Sequence, residues 1–191
     1  MTRSTNNNIV YAPITLDFVT VGVEFCSFLE NMKTPSRTEW MTTTLRILPL
    51  LYVKATLLPT VEIFNDDFPE TFVSEQDYMR VSNQISTLLG EDNVYLEVFK
   101  EDMKYSDRPI SSFISEDIAD IYQDIRNFVS VYQYGLEETM KSALHICTEN
   151  FRIYWGQKLV NVLRALHSLV YKPNDEIDFK DYDKKEDDLW D

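Results

Sequence analysis

Glycine is scarce in this chain, with four residues in 191. An all-β fold needs many tight turns, and four Gly with seven Pro cannot supply them. The same scarcity leaves little room for a phosphate-cradling loop, and no Gly-x-Ser-x-Gly nucleophile pattern occurs. Cysteine is limited to Cys26 and Cys147, far apart and on different predicted helices. They form neither a disulfide framework nor a Cys-x-x-Cys pair. The two histidines, His145 and His167, share a face of one predicted helix but lie roughly 33 Å apart along it. They cannot ligate one metal, and Ser142 and Arg164 stand where the glutamates of a Glu-x-x-His di-metal site would be. His145, between Leu144 and Ile146, reads as a packed core residue. No metal and no cofactor are expected.

Basic residues are also in deficit. Eighteen Lys and Arg against 32 Asp and Glu give a formal charge of -14. Such a surface repels phosphate backbones and anionic lipid, so neither nucleic-acid nor membrane binding is expected. The field permits a basic partner, although high net charge also serves solubility. Long apolar runs are missing too. The longest, Leu45 to Leu58, contains Arg46, Pro49 and Lys54 and is too short to span a bilayer. Nearer the start, Asp17 and Glu24 interrupt the apolar region a signal peptide requires. The expected location is the cytoplasm.

What remains is aromatic and periodic. Hydrophobic residues make up 44% and aromatics 13%, enough for one domain with a sizeable core. Residues 1–12 are polar and read as a flexible N-terminus. Phe18, Val21, Phe25, Phe28 and Leu29 recur at helical spacing between Ile14 and about Lys33. Ser36 and Glu39 have capping-box spacing for a second helix to Leu58, with a kink or break expected near Ile47 because Pro49 lies inside it. Ser74 caps a third helix that Gly90 ends. Between Glu91 and Phe113 the pattern is undecided, and Val94 to Phe99 fits a short strand or a helical turn. A fourth helix, Ser115 to Tyr134, carries Ile118, Ile121, Tyr122, Ile125, Phe128, Val129 and Tyr132 on one face, and Gly135 stops it. A fifth runs from Leu136 to about Tyr171, with Gly156 the favoured bend. Nine carboxylates crowd residues 174–191, beside Phe179, Tyr182 and Trp190. The pattern predicts an all-α, single-domain antiparallel bundle of about five main helices over 13–172, with an acidic tail over 173–191.

Three groups of polar residues could carry function. Asn150, Tyr154, Gln157, Asn161 and Arg164, continued by Ser168, form one stripe at about 100° per residue. A merely solvated stripe would be rich in Lys and Glu, so amides there suggest side chains held by hydrogen bonds. The stripe reads either as glue between helices or as a binding cleft around Arg164, suited to a small carboxylate or phosphate. Asp117, Asp120 and Asp124 share a face of the fourth helix and read as a solvated face. Glu24, set among apolar residues, is the better candidate for a buried acid, paired with Arg46 or Arg164. No catalytic residue is assigned. A non-catalytic interaction domain, self-associating or binding a protein partner, ranks first. A small-molecule binder or enzyme around Arg164 ranks second, and acidic mimicry of nucleic acid third.

Three segments carry a resemblance: Leu48-Pro-Leu-Leu-Tyr-Val-Lys-Ala, Ile114-Ser-Glu-Asp-Ile-Ala-Asp-Ile-Tyr-Gln-Asp-Ile and Tyr154-Trp-Gly-Gln-Lys-Leu-Val-Asn-Val-Leu-Arg-Ala-Leu-His. Through them the chain resembles a family of helical proteins of unknown function, found mainly in anaerobic gut bacteria. The resemblance covers most of residues 14–171. It implies a compact helical fold in a cytoplasmic bacterial protein, and it brings no catalytic residues with it.

Overall fold

The computed structural model describes residues 9–32, 36–63, 69–97 and 110–172. Among the described residues six α-helices and one two-stranded sheet follow in order: α1 (Pro13–Glu30), α2 (Arg37–Thr56), α3 (Glu75–Leu89), β1 (Val94–Glu97), β2 (Ile110–Phe113), α4 (Ile114–Gln133), α5 (Glu137–Asn150) and α6 (Gly156–Val170). The architecture is the expected all-α domain, with α5 and α6 joined into one helical rod. The acidic tail lies outside the described residues.

Local chemistry sets most boundaries. Pro13 opens α1, where a missing N–H costs nothing. The Ser36 hydroxyl accepts the Glu39 N–H at 3.2 Å, and Ser74 with Asp77 forms a reciprocal capping box. Gly135, at a φ of 65°, makes the tight joint between α4 and α5. Helix α2 continues through Pro49 to Thr56. The undecided region contributes both strands, since Val94 to Glu97 pairs antiparallel with Ile110 to Phe113.

Helix α4 is the axis of the bundle. It packs against α1, α3, α5 and α6, and the sheet leads directly into its first turn. At the centre, Phe18 of α1 lies 5.4 Å from Phe128 of α4 and 6.5 Å from Trp155, centroid to centroid. Residues Phe151–Trp155 form a π-helical turn between α5 and α6, just before the glycine expected to bend the rod. A Cβ on Gly156 would stand 2.3 Å from the Phe151 carbonyl oxygen and 2.9 Å from its ring. Close approach inside this wide turn, rather than weak helix propensity, requires glycine there.

Candidate functional site

A helix surrounded by four others has no fully solvated face. That is why Asp117, Asp120 and Asp124 do not form the water-facing stripe their periodicity predicts. Asp117 is buried, and its carboxylate accepts from the Tyr95 hydroxyl of β1. The Lys158 ammonium of α6 bridges Asp117 and Asp120 at 2.7 Å each. Tyr78 of α3 donates to Asp120 at 3.0 Å. Burial alone would lower the Lys158 pKa, but its hydrogen bonds to the two carboxylates outweigh this and hold it above the usual lysine range. Lys158 is therefore a fixed cation and is not available as a neutral amine at physiological pH. Tyr78 and Tyr95 are pushed above the usual phenol range, first by burial and then by the carboxylates they face. Both remain protonated donors.

Asp124, one turn further on, differs from its two neighbours. Its one hydrogen bond among the described residues comes from Asn150 Nδ2 at 2.6 Å, and no described Lys or Arg pairs with it. Burial pushes its carboxyl up to about 6, only partly offset by the Asn150 bond and reinforced by Asp120. It borders a cleft of about 600 Å³ between α4, the α5 rod and the segment before α3. Phe128, Ala143 and Cys147 form an apolar floor, Ile146 and Ile153 flank it, and Glu70 and Thr71 stand at the rim. Asn127 ties that rim to α4, its Oδ1 accepting the Phe72 and Val73 N–H groups at 2.7 and 2.9 Å. A second cleft of about 450 Å³, beside Asp117 and Lys158, adjoins the first through Ile153 and Tyr154. The π-helical turn presents both of these side chains to solvent. Burial, then Asp120, push the Tyr154 hydroxyl up to about 12, and its ring lies 5.1 Å from Lys158 Nζ.

The amide stripe is distributed along these depressions. Asn150 and Tyr154 border the Asp124 cleft. Gln157 and Asn161 open onto the second cleft and onto another beside Tyr52 and Phe151. Arg164 is exposed, and its side chain makes no hydrogen bond or ion pair among the described residues. It shares a smaller depression of about 230 Å³ with Asn161, Ser168, Asp92 and Glu97. Of the stripe's three amides, Asn150 alone makes a side-chain hydrogen bond among the described residues. Glu24 is exposed rather than buried, because it lies on the face of α1 opposite the core, and Arg46 of α2 is exposed as well. The buried acid lies instead on α4. His145 is half-buried with Nδ1 2.6 Å from the Val61 carbonyl, a structural contact. Among the described residues no group of His, Cys, Asp and Glu converges as a metal site. Cys147 is fully buried and pushed well above the usual thiol range by burial, so it offers no thiolate.

A family model described as Domain of unknown function (DUF5063) matches residues 9–172. The chain belongs to this family. The resemblance expected from the three segments therefore holds, and the matched span contains every element of the DUF5063 bundle described above. The chain is also similar to protein BF1032 from Bacteroides fragilis, known from a crystal structure. The two share 45% identity and a TM-score of 0.78, over 88% of this chain and 99% of that one. Comparison with curated proteins gave no match. The function of the DUF5063 domain is unknown, so the chemistry of the clefts rests on their residues. No described helix is long and apolar enough to cross a membrane.

Proposed function

We propose that this protein is a small-molecule-binding domain whose site is the cleft between α4 and the α5 rod. The carrying observation is Asp124, a largely buried carboxyl on a cleft of about 600 Å³, with one amide as its hydrogen-bond partner among the described residues. An apolar floor with a few convergent polar groups and one perturbed acid is the usual make-up of a ligand site. Asn150 and Tyr154 belong to this site, whereas Gln157, Asn161 and Arg164 extend along the surface beyond it. An anion centred on Arg164 is less well supported, because Asp92 and Glu97 border the same depression. Binding without catalysis fits the groups present, since Lys158 and the tyrosines are held protonated and both cysteines are buried. Two free buried thiols accord with a cytoplasmic location.

A fragment screen by NMR on the full chain tests this reading. Hits should shift the resonances of Ala143, Ile146, Ile153 and Tyr154 together, and Ile146→Trp, which fills the cleft, should abolish them. Hits that avoid these residues, or survive Ile146→Trp, would overturn it. A second reading, association with a protein or a second copy, is favoured by exposed apolar groups. Tyr52 and Val160 border one depression with Phe151, and Ile153 is 74% exposed. Light scattering across a concentration series would show self-association directly.

A further inference from the structure

Resting on that reading of the cleft, we propose that its ligand carries an alkyl- or arylammonium group, with the cation on Asp124 and the apolar body on Phe128, Ala143 and Ile146. Among the described residues the charged groups lining the cleft, Asp124 and Glu70, are both acceptors. Asn150 donates from Nδ2 to Asp124, which leaves its Oδ1 as a further acceptor beside the carboxylate. An ammonium, with three N–H donors and a positive charge, matches that pair. Among the described residues no Lys, Arg or His borders this cleft, and Lys158 is committed to Asp117 and Asp120. Glu70 at the rim adds negative potential. Among the described residues an anion would therefore meet two carboxylates and no cation.

A bare divalent cation fits less well. Hard cations want several oxygen ligands in one shell, and the cleft offers one largely buried carboxylate beside an apolar floor. Phe128 and Ala143 are buried in that floor and favour a ligand with carbon to bury. Asn127 supplies a donor with no partner among the described residues, since its Oδ1 is used by the rim and its Nδ2 is not. A ligand with an acceptor a few bonds from its ammonium would use both Asp124 and Asn127. The volume of about 600 Å³ lies within the range of small-molecule sites, roughly 300–1,000 Å³.

The test titrates the full chain at pH 7.5 with 2-phenylethylammonium and butylammonium, each against its neutral alcohol, with phenylacetate and calcium as further probes. The expected result is shifts at Ala143, Ile146 and Ile153, with at least one ammonium binding about tenfold more tightly than its alcohol, a difference of about 1.4 kcal/mol. Asp124→Asn, which keeps an acceptor for Asn150, should remove that advantage and leave the alcohol unaffected. Alcohols that bind in the cleft as tightly as the ammonium probes would overturn the ammonium assignment and leave the cleft reading standing. Preference for phenylacetate or calcium would do the same, as would ammonium binding that survives Asp124→Asn. Failure of every probe to move the cleft resonances would overturn both.

Discussion

Replacing Asp124 by Asn should stabilise this protein at neutral pH. In an unfolded chain an aspartate titrates near 3.9. In the fold, burial drives Asp124 up to about 6, with Asn150 opposing and Asp120 assisting. The folded state thus holds this proton more tightly than the unfolded state. Between about pH 4 and 6 the fold binds the extra proton, so stability falls as pH rises through that window. Above it the full penalty is present, and two units of displacement correspond to about 3 kcal/mol. Tyr154 and Cys147 stay protonated throughout this window. Asparagine cannot ionise, so Asp124→Asn should exceed the parent by about 3 kcal/mol at pH 7.5 and by about half that at pH 5. Urea denaturation at both pH values, with unchanged m, measures the difference. A variant less stable than its parent at pH 7.5, or a gain independent of pH, would refute the reasoning. A stabilising loss of a charged cleft residue is the pattern expected where stability has been given up for binding.

Three further substitutions probe the surroundings. Lys158→Met strands Asp117 and Asp120 against each other and should cost about 3 kcal/mol, the low end for a broken buried pair because Lys158 is partly exposed. A loss below about 1 kcal/mol in denaturant would make the bridge an ordinary surface pair. Arg164→Met should change stability by no more than about 0.5 kcal/mol, since the side chain is exposed and unpaired among the described residues. A large loss by the same assay would reveal a structural role for this arginine. Gly156→Ala should lower the melting temperature, although alanine is intrinsically the better helix former by about 1 kcal/mol, because its Cβ would strike Phe151. An unchanged or higher melting temperature would mean that the π-helical turn relaxes without cost.

Much of the fold was legible before any coordinates. Apolar residues at three- and four-residue spacing marked the helices, and Ser36, Ser74, Gly90 and Gly135 marked their ends, because caps and turns depend on neighbours a few residues away. Periodicity also grouped Asp117, Asp120 and Asp124 on one face, and placed Asn150 and Tyr154 together one turn apart. It could not say what covered those faces. The same spacing that predicts a solvated face describes a face pressed against α3, β1 and α6, and the difference lies in residues 22 to 42 positions away. Lys158, Tyr78 and Tyr95 become partners of the aspartates only through packing. Glu24 shows the converse, an acid in apolar company along the chain that points outward in space. Sequence alone thus determined the class of fold, the helix limits and the charge. Tertiary structure decided which carboxylates were buried, which found a cation, and which one, Asp124, was left facing a cleft, because burial and charge pairing are properties of contacts between distant segments.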